Sequence, residues 1–161
     1  MGAYLLDRTA AQPDPGSRLV ASTIVSSSLL AKIGAVAGVH YAETLTGFKW
    51  IVRAGERLPG SRFLFGYEEA LGYSVGTVVR DKDGIGAALT FLRLTADALG
   101  GGRNLLDLVH ALEERHGVHL TAQISLRSAD PPRPWPGCGR PRRLPSRGGR
   151  LRPRWTWWRS Y

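Results

Sequence analysis

Cysteine is almost absent from this chain of 161 residues, in which Cys138 is the only one. A single cysteine cannot close a disulfide within the chain, which excludes the class of small secreted domains held together by disulfides. Long apolar runs are also absent, since none approaches the roughly 20 residues that cross a bilayer. The first residues lack the basic segment and sustained apolar run of a signal peptide. We therefore expect a soluble cytoplasmic protein that makes no membrane contact.

Acidic residues and lysines are scarce in the last part of the chain. Of the formal net charge of +9, +8 falls in residues 128–161, which hold nine arginines, one aspartate and no lysine. The same segment contains seven of the ten prolines and, beyond alanine, only the aliphatic residues Leu144 and Leu151. Because these cannot form a periodic core face, we predict a disordered tail rich in arginine, proline and tryptophan over residues 128–161.

This tail has two interpretations. Arginines interleaved with tryptophans are typical of an arm that binds nucleic acid. The same composition arises when GC-rich coding DNA is translated in the wrong reading frame, and we favour this frameshift interpretation. Residues 1–127 then form a near-neutral body with a net charge of +1.

The body alternates between strand and helix patterns. Apolar and alternating runs predict strands over residues 18–25, 39–45, 62–66 and 118–126. Apolar residues at helical spacing predict helices over residues 29–38, 48–55, 83–99 and 105–117. Asp81 or Asp83 begins the third of these helices, and Asn104 caps the fourth. The alternation predicts an α/β fold, namely a three-layer α/β/α domain with a mixed four-stranded sheet.

The helix patterns also predict which side chains point inward. Residues 1–12 look like the end of a helix that has nothing of its own to pack on. The two last helices should turn apolar stripes toward the core. These stripes consist of Ile85, Ala88, Leu89, Leu92 and Ala96 in one helix and Leu105, Leu108, Val109 and Leu112 in the other.

Two adjacent carboxylates, Glu68 and Glu69, follow the strand 62–66, and Lys82 precedes the helix 83–99. Carboxylates accept hydrogen bonds from hydroxyl groups, whereas a lysine and the free amides of a helix N-terminus bind an anion. Ligands of α/β sheets bind beyond the carboxyl ends of strands, so the loops at Thr46 and Glu68 could face one crevice. A sugar phosphate offers both hydroxyls and a negative group. The four histidines show no pairing at metal-ligand spacing, and we predict no metal site.

Four segments in this order, residues 25–30, 43–51, 65–73 and 80–84, resemble the α-D-phosphohexomutases. The bacterial phosphomannomutase/phosphoglucomutase group is the branch most similar to them. The resemblance covers about residues 2–127. Members of that family have four domains, and the resemblance places this chain on the third, an α/β/α domain that contacts the sugar hydroxyls.

The resemblance also implies a set of substrate-binding residues. Glu68 matches the glutamate that binds the sugar, and Ala70 stands where many members have a serine that also binds it. Thr46, Gly47 and Phe48 match a loop that helps to set the orientation of the sugar. Lys82 matches a lysine that can contact the substrate phosphate.

Three other parts of the family's machinery have no counterpart in this sequence. The family transfers phosphate from a phosphoserine in its first domain, with Mg²⁺ held by an aspartate-rich loop of the second. A loop of the fourth domain binds the substrate phosphate. Because residues 26–28 and 81–83 do not match the phosphoserine and metal loops, we expect no catalytic residue and no metal ligand here. The interconversion of hexose 1- and 6-phosphates is the family's reaction, and we expect the truncated chain to be inactive.

The resemblance divides the chain into four parts. Residues 1–17 are the remnant of a preceding domain and its linker, residues 18–119 are the third domain, and residues 120–127 are a strand leading to a missing fourth domain. The tail follows. Two further hypotheses remain open: a basic protein that binds nucleic acid through the tail, and a non-catalytic domain that binds a hexose phosphate weakly. Surfaces made for neighbouring domains would be bare, which favours self-association.

Overall fold

The computed structural model describes residues 1–122 of the chain. The predicted tail over residues 128–161 therefore lies outside the described residues. The described part contains five α-helices, four strands and two short 3₁₀ turns, at Pro15–Ser17 and Ala54–Arg57. In chain order the helices and strands are α1 (Gly2–Arg8), β1 (Arg18–Thr23), α2 (Leu29–Val36), β2 (His40–Thr44), α3 (Phe48–Val52), β3 (Arg62–Glu68), β4 (Gly72–Val75), α4 (Gly84–Gly100) and α5 (Leu105–His116).

The strands form one mixed sheet in the order β2-β1-β3-β4. β1 pairs in parallel with both β2 and β3, and β4 pairs antiparallel with β3. All six residues of β1 are buried, as is usual for a strand that is covered on both faces. The predicted mixed four-stranded sheet is confirmed.

The fourth strand is not the one predicted from residues 118–126. Residues 118–122 form no strand, and residues 123–126 lie outside the described part of the chain. Val118 and Leu120 are 65% and 90% exposed, because an alternating pattern makes a strand only where a sheet edge supplies hydrogen bonds. β4 was not predicted, because it is short and begins with a glycine, a residue type that is depleted in strands.

Two apolar clusters lie on opposite faces of the sheet and give the predicted three layers. In β1, Val20 faces one cluster while Leu19 and Ala21 face the other, which is the two-residue alternation of a strand. α1 and α2 cover the first face, and α3 covers the second. The first cluster contains Leu6, Val20, Leu30, Ile33, Leu64 and Phe65, and the second contains Leu19, Ala21, Phe48, Ile51, Ala54 and Phe63.

The N-terminal helix packs on the core, so the expectation that it has nothing to pack on is wrong. Leu6 is 2% exposed and belongs to the first cluster. The buried Arg18 donates hydrogen bonds to the Leu6 carbonyl at 2.6 Å and to Thr9 Oγ1 at 3.0 Å. At the other side of the helix, Tyr4 donates to Asp97 of α4 at 2.6 Å. The division of the chain at residue 17 stays a prediction.

Helix α4 begins as predicted but turns a different face inward. Asp83 is its N-cap and accepts a hydrogen bond from the Gly86 amide. The buried residues are Ala87, Leu94 and Ala98, while the predicted inward residues Ile85, Leu89 and Leu92 are 79%, 64% and 63% exposed, and Ala88 and Ala96 are not buried either. The helix is apolar almost all round, so periodicity could not decide which stripe is buried. The small side chains of Ala87 and Ala98 allow closer packing than leucines would.

Helix α5 is only partly covered. Of its predicted inward residues, Leu105, Leu108 and Leu112 are half-buried, but Val109 is 48% exposed. Its N-terminus is fixed as predicted by Asn104, which forms a capping box with Asp107.

An uncovered apolar stripe, which we name the α4 seam, runs along α4. Its members recur at alternating intervals of four and three residues, the spacing of helices that pack side by side. They are the exposed residues Ile85, Leu89, Leu92, Ala96 and Leu99.

The α4 seam leads to a prediction about self-association. Exposed apolar patches favour association, so we expect the mass of the full chain in analytical ultracentrifugation to rise with protein concentration. Leu89→Gln combined with Leu92→Gln should reduce that rise. Val78→Gln, at a loop position that is 93% exposed, should leave it unchanged. A monomer at every concentration, or an equal effect of the loop control, would contradict the prediction.

Candidate functional site

Glu68 is the last residue of β3, and its carboxylate joins the two loops that the sequence suggested. The residue is only 9% exposed. Its Oε1 accepts a hydrogen bond from the backbone N–H of Gly47 at 2.7 Å, and its Oε2 lies 3.5 Å from Lys82 Nζ. β2 and β3 both run parallel to β1, so the loops that follow them emerge at the same edge of the sheet. The structure thus brings Gly47, Glu68 and Lys82 together.

Gly47 occupies a backbone conformation that presents its N–H to Glu68. Its φ of +113° is one that residues with a Cβ rarely adopt. The loop residue Thr46 before it is exposed, and Phe48 after it is 6% exposed in the second core cluster. The structure therefore places Thr46 at the surface of the site and Phe48 in the wall beneath it.

Lys82 lies over the ring of Phe48 and beside Gly72. Its Nζ is 5.7 Å from the centroid of the Phe48 ring. A Cβ at Gly72 would lie 2.9 Å from Lys82 Cε and 3.0 Å from Phe48 Cε2, so any larger residue would displace the lysine. In the sequence, Gly72 stood out only as a member of residues 65–73, one of the segments that carry the family resemblance. Its steric role becomes visible once the hairpin is formed.

The hairpin tip between β3 and β4 holds the remaining predicted residue, Ala70. Glu68 pairs with Gly72, which leaves a three-residue turn in which Leu71 has a φ of +61°. Ala70 is exposed at this tip. Glu69 Oε1 accepts a hydrogen bond from the Ser27 N–H at 2.6 Å, so the second carboxylate fastens the tip to the loop after β1. No local pattern pointed to Ser27 as its partner.

The charges of the site are unequally exposed. The side chain of Glu68 is 11% exposed, whereas that of Lys82 is 51% exposed. Because a carboxylate has about four lone-pair sites, Glu68 can accept further hydrogen bonds from hydroxyl groups, and Lys82 can meet an anion from solvent. Behind the site, burial raises the pKa of Tyr67 to about 12, and the charge of Glu69 adds to the rise. The arrangement suits a ligand that carries both hydroxyls and a negative group.

The acidic residues near the site do not fit a metal ion. Asp81 Oδ1 accepts from the Lys82 N–H at 2.7 Å, and Asp83 Oδ1 accepts from the Gly86 N–H at 2.8 Å. Each carboxylate therefore binds a backbone N–H group close to it in the chain. Within residues 1–122, no group of three histidine, cysteine, aspartate or glutamate side chains could hold a metal ion, and no helix there is long and apolar enough to cross a membrane.

Comparisons with known proteins agree on one kind of domain. Residues 1–116 match the family model described as phosphoglucomutase/phosphomannomutase, alpha/beta/alpha domain III. The chain is 38% identical over 116 residues to the probable phosphoribomutase of Schizosaccharomyces pombe, covering 71% of this chain and 20% of that protein. It is 39% identical over 131 residues to the probable phosphomannomutase of Haemophilus influenzae, covering 81% of this chain and 26% of that protein.

Two further similarities fit this pattern. The human phosphopentomutase is 37% identical over 102 residues, covering 62% of this chain and 17% of that protein. A crystal structure from Thermus thermophilus, provisionally named a phosphomannomutase, matches with a TM-score of 0.55 and 25% identity over 73% of this chain and 26% of that one. The chain thus spans between 17% and 26% of the length of these curated relatives.

The buried carboxylate leads to a prediction about stability. Glu68→Ala leaves the Gly47 N–H without its acceptor and should lower the free energy of unfolding by about 1–3 kcal/mol. Glu68→Gln keeps an acceptor oxygen and loses only the half-exposed ion pair with Lys82, so we expect a loss of about 1 kcal/mol or less. Urea denaturation measures both, with the exposed Glu43→Gln as control. Equal losses in the two Glu68 variants would show that the Gly47 hydrogen bond is not what the carboxylate supplies.

Proposed function

The chain belongs to the phosphoglucomutase/phosphomannomutase family through its α/β/α domain III, and we propose that it recognises a hexose phosphate. Glu68, the loop of Thr46, Gly47 and Phe48, the hairpin residue Ala70, and Lys82 form the binding site. The observation that carries the proposal is the carboxylate of Glu68, which contacts both the Gly47 N–H and Lys82. It sets a hydroxyl acceptor and a cation side by side.

Each group has a separate task in this proposal. The free lone pairs of Glu68 accept hydrogen bonds from sugar hydroxyls, and the Gly47 hydrogen bond fixes the carboxylate before the ligand arrives. Lys82 is half exposed, so its ammonium group can turn toward the phosphate at little desolvation cost. Ala70 supplies no hydroxyl, which leaves the hairpin tip without a side-chain hydrogen bond to the sugar.

The proposed role is recognition within a larger reaction. The relatives named above are mutases of sugar phosphates, and interconversion of hexose 1- and 6-phosphates is the activity to which such a site would contribute. The phosphoryl donor and the Mg²⁺ that the family resemblance implies would have to come from outside residues 1–122. Positioning of a donor supplies much of the rate in phosphoryl transfer, so the site alone gives binding without turnover.

Binding of sugar phosphate can be tested by amide NMR titration of the full chain with glucose 1-phosphate. We expect the NMR signal of the Gly47 amide to shift and to reach saturation as glucose 1-phosphate is added, with a weak affinity. Glu68→Gln and Lys82→Met should each weaken binding by about tenfold, which corresponds to one charge-assisted hydrogen bond. Glucose, which carries no phosphate, should bind more weakly to Glu68→Gln than to the unchanged chain, but equally well to Lys82→Met. Unchanged binding in Glu68→Gln, with Glu43→Gln as the matched control, would remove Glu68 from the site.

Inactivity of the isolated chain is a separate expectation. A coupled assay with purified chain, Mg²⁺ and glucose 1-phosphate should detect no formation of glucose 6-phosphate, because no phosphoryl donor is positioned at Glu68 or Lys82. Turnover that follows the protein through purification and is lost in Glu68→Gln would refute this expectation. It would leave the binding proposal intact.

A further inference from the structure

A cavity of about 530 Å³, which we name the basal cavity, lies at the end of the sheet where β3 begins. β3 begins beside it at Arg62 and ends at Glu68, and a seven-residue strand spans about 20 Å. The part of the cavity beside Ser61 and Arg62 therefore lies at the opposite end of β3 from Glu68. Its wall combines the end of α3 and the turn after it with the beginning of β3 and the loop after β4. The polar or charged side chains in this wall belong to Glu56, Ser61, Arg62, Thr77 and Arg80.

Ser61 carries an unpaired polar atom in this wall. Among the residues that the structure describes, its Oγ is the one buried side-chain oxygen or nitrogen without a hydrogen-bond partner. It lies against the backbone of Gly55, where a Cβ would come within 3.4 Å of it. A buried hydroxyl without a partner is destabilising, so a water molecule or a ligand in the adjoining cavity is expected to complete its hydrogen bonding.

Two arginines bring positive charge to the same cavity. Arg80 is held by Glu56, with Nη2 and Oε1 3.1 Å apart, and both side chains are more than half exposed. Arg62 is exposed and forms no ion pair with any residue in the described range. An exposed ion pair contributes little to stability, so a ligand can draw Arg80 away from Glu56 at small cost.

We propose that the basal cavity binds a small oxyanion of the phosphate class. The Ser61 hydroxyl donates one hydrogen bond to it, and the guanidinium of Arg62 donates two in the planar geometry that suits phosphate. Arg80 adds a second cation at the rim. A single water molecule would satisfy Ser61 but would leave the exposed Arg62 without a counter-charge among the described residues.

Amide NMR titration of the full chain with inorganic phosphate at constant ionic strength tests the proposal. We expect saturable shifts at the amides of Ser61 and Arg62. Ser61→Ala and Arg62→Gln should each raise the dissociation constant by about tenfold, because each removes one charge-assisted hydrogen bond to the phosphate. Arg93→Gln removes the same charge from an exposed position on α4 and should have no effect. Two independent variants guard against a folding defect in one, and each amide spectrum reports whether the fold is kept.

Three outcomes would overturn the proposal. Absence of a saturable shift at Ser61 would mean that the cavity holds water only. Equal weakening by Arg93→Gln would show a diffuse effect of net charge. Full affinity in Ser61→Ala would show that the buried hydroxyl takes no part.

The source of the phosphate group is decided by a parallel titration with glucose 6-phosphate. Stronger binding than inorganic phosphate at the Ser61 amide would identify a sugar phosphate as the ligand, and equal or weaker binding would identify free phosphate. The amides of Ser61 and Gly47 report on separate ends of the sheet. An absence of binding at the basal cavity can therefore be distinguished from an absence of binding at the sugar site.

Discussion

The hydrogen bond from the Gly47 N–H to the buried carboxylate of Glu68 is the contact on which the site depends. It joins the loop after β2 to the end of β3, and Lys82 adds the loop before α4 on the other carboxylate oxygen. A carboxylate that is 9% exposed needs such partners, because an unpaired buried charge is costly. The requirement that stabilises Glu68 also holds three loops in one place.

The sheet makes this contact possible. β1 is buried along its whole length and pairs in parallel with the strands on both sides. Its neighbours β2 and β3 must then end at the same edge, where Gly47 and Glu68 meet. Gly72, the first residue of β4, has no side chain, and so Lys82 and Phe48 can close over it. Strand direction, burial and one missing Cβ together set the geometry.

Sequence reasoning succeeded where a local pattern has one physical solution. Asp83 followed by glycines and apolar residues begins a helix, and the structure agrees. Sequence reasoning failed where the structure of a segment depends on the distant segment that packs or pairs with it. No strand was predicted over Gly72–Val75, because a glycine disfavours a strand and only its pairing with Glu68 reveals one. Helix α4 has two apolar faces, so the burial of Ala87 and the exposure of Leu89 could not be told from spacing. The grouping of Gly47 with Glu68 was expected from strand ends, but the hydrogen bond between them needed coordinates.

Arg18 couples the local dynamics of the N-terminal helix α1 to those of strand β1. Arg18 is 3% exposed, and its guanidinium donates a hydrogen bond to the Leu6 carbonyl near the C-terminal end of α1, where the partial negative charge of the helix dipole lies. If α1 detached, this desolvated cation in β1 would lose these acceptors. Fraying of the chain end is thereby coupled to the central strand, and α1 and β1 should exchange their amide hydrogens as one cooperative unit.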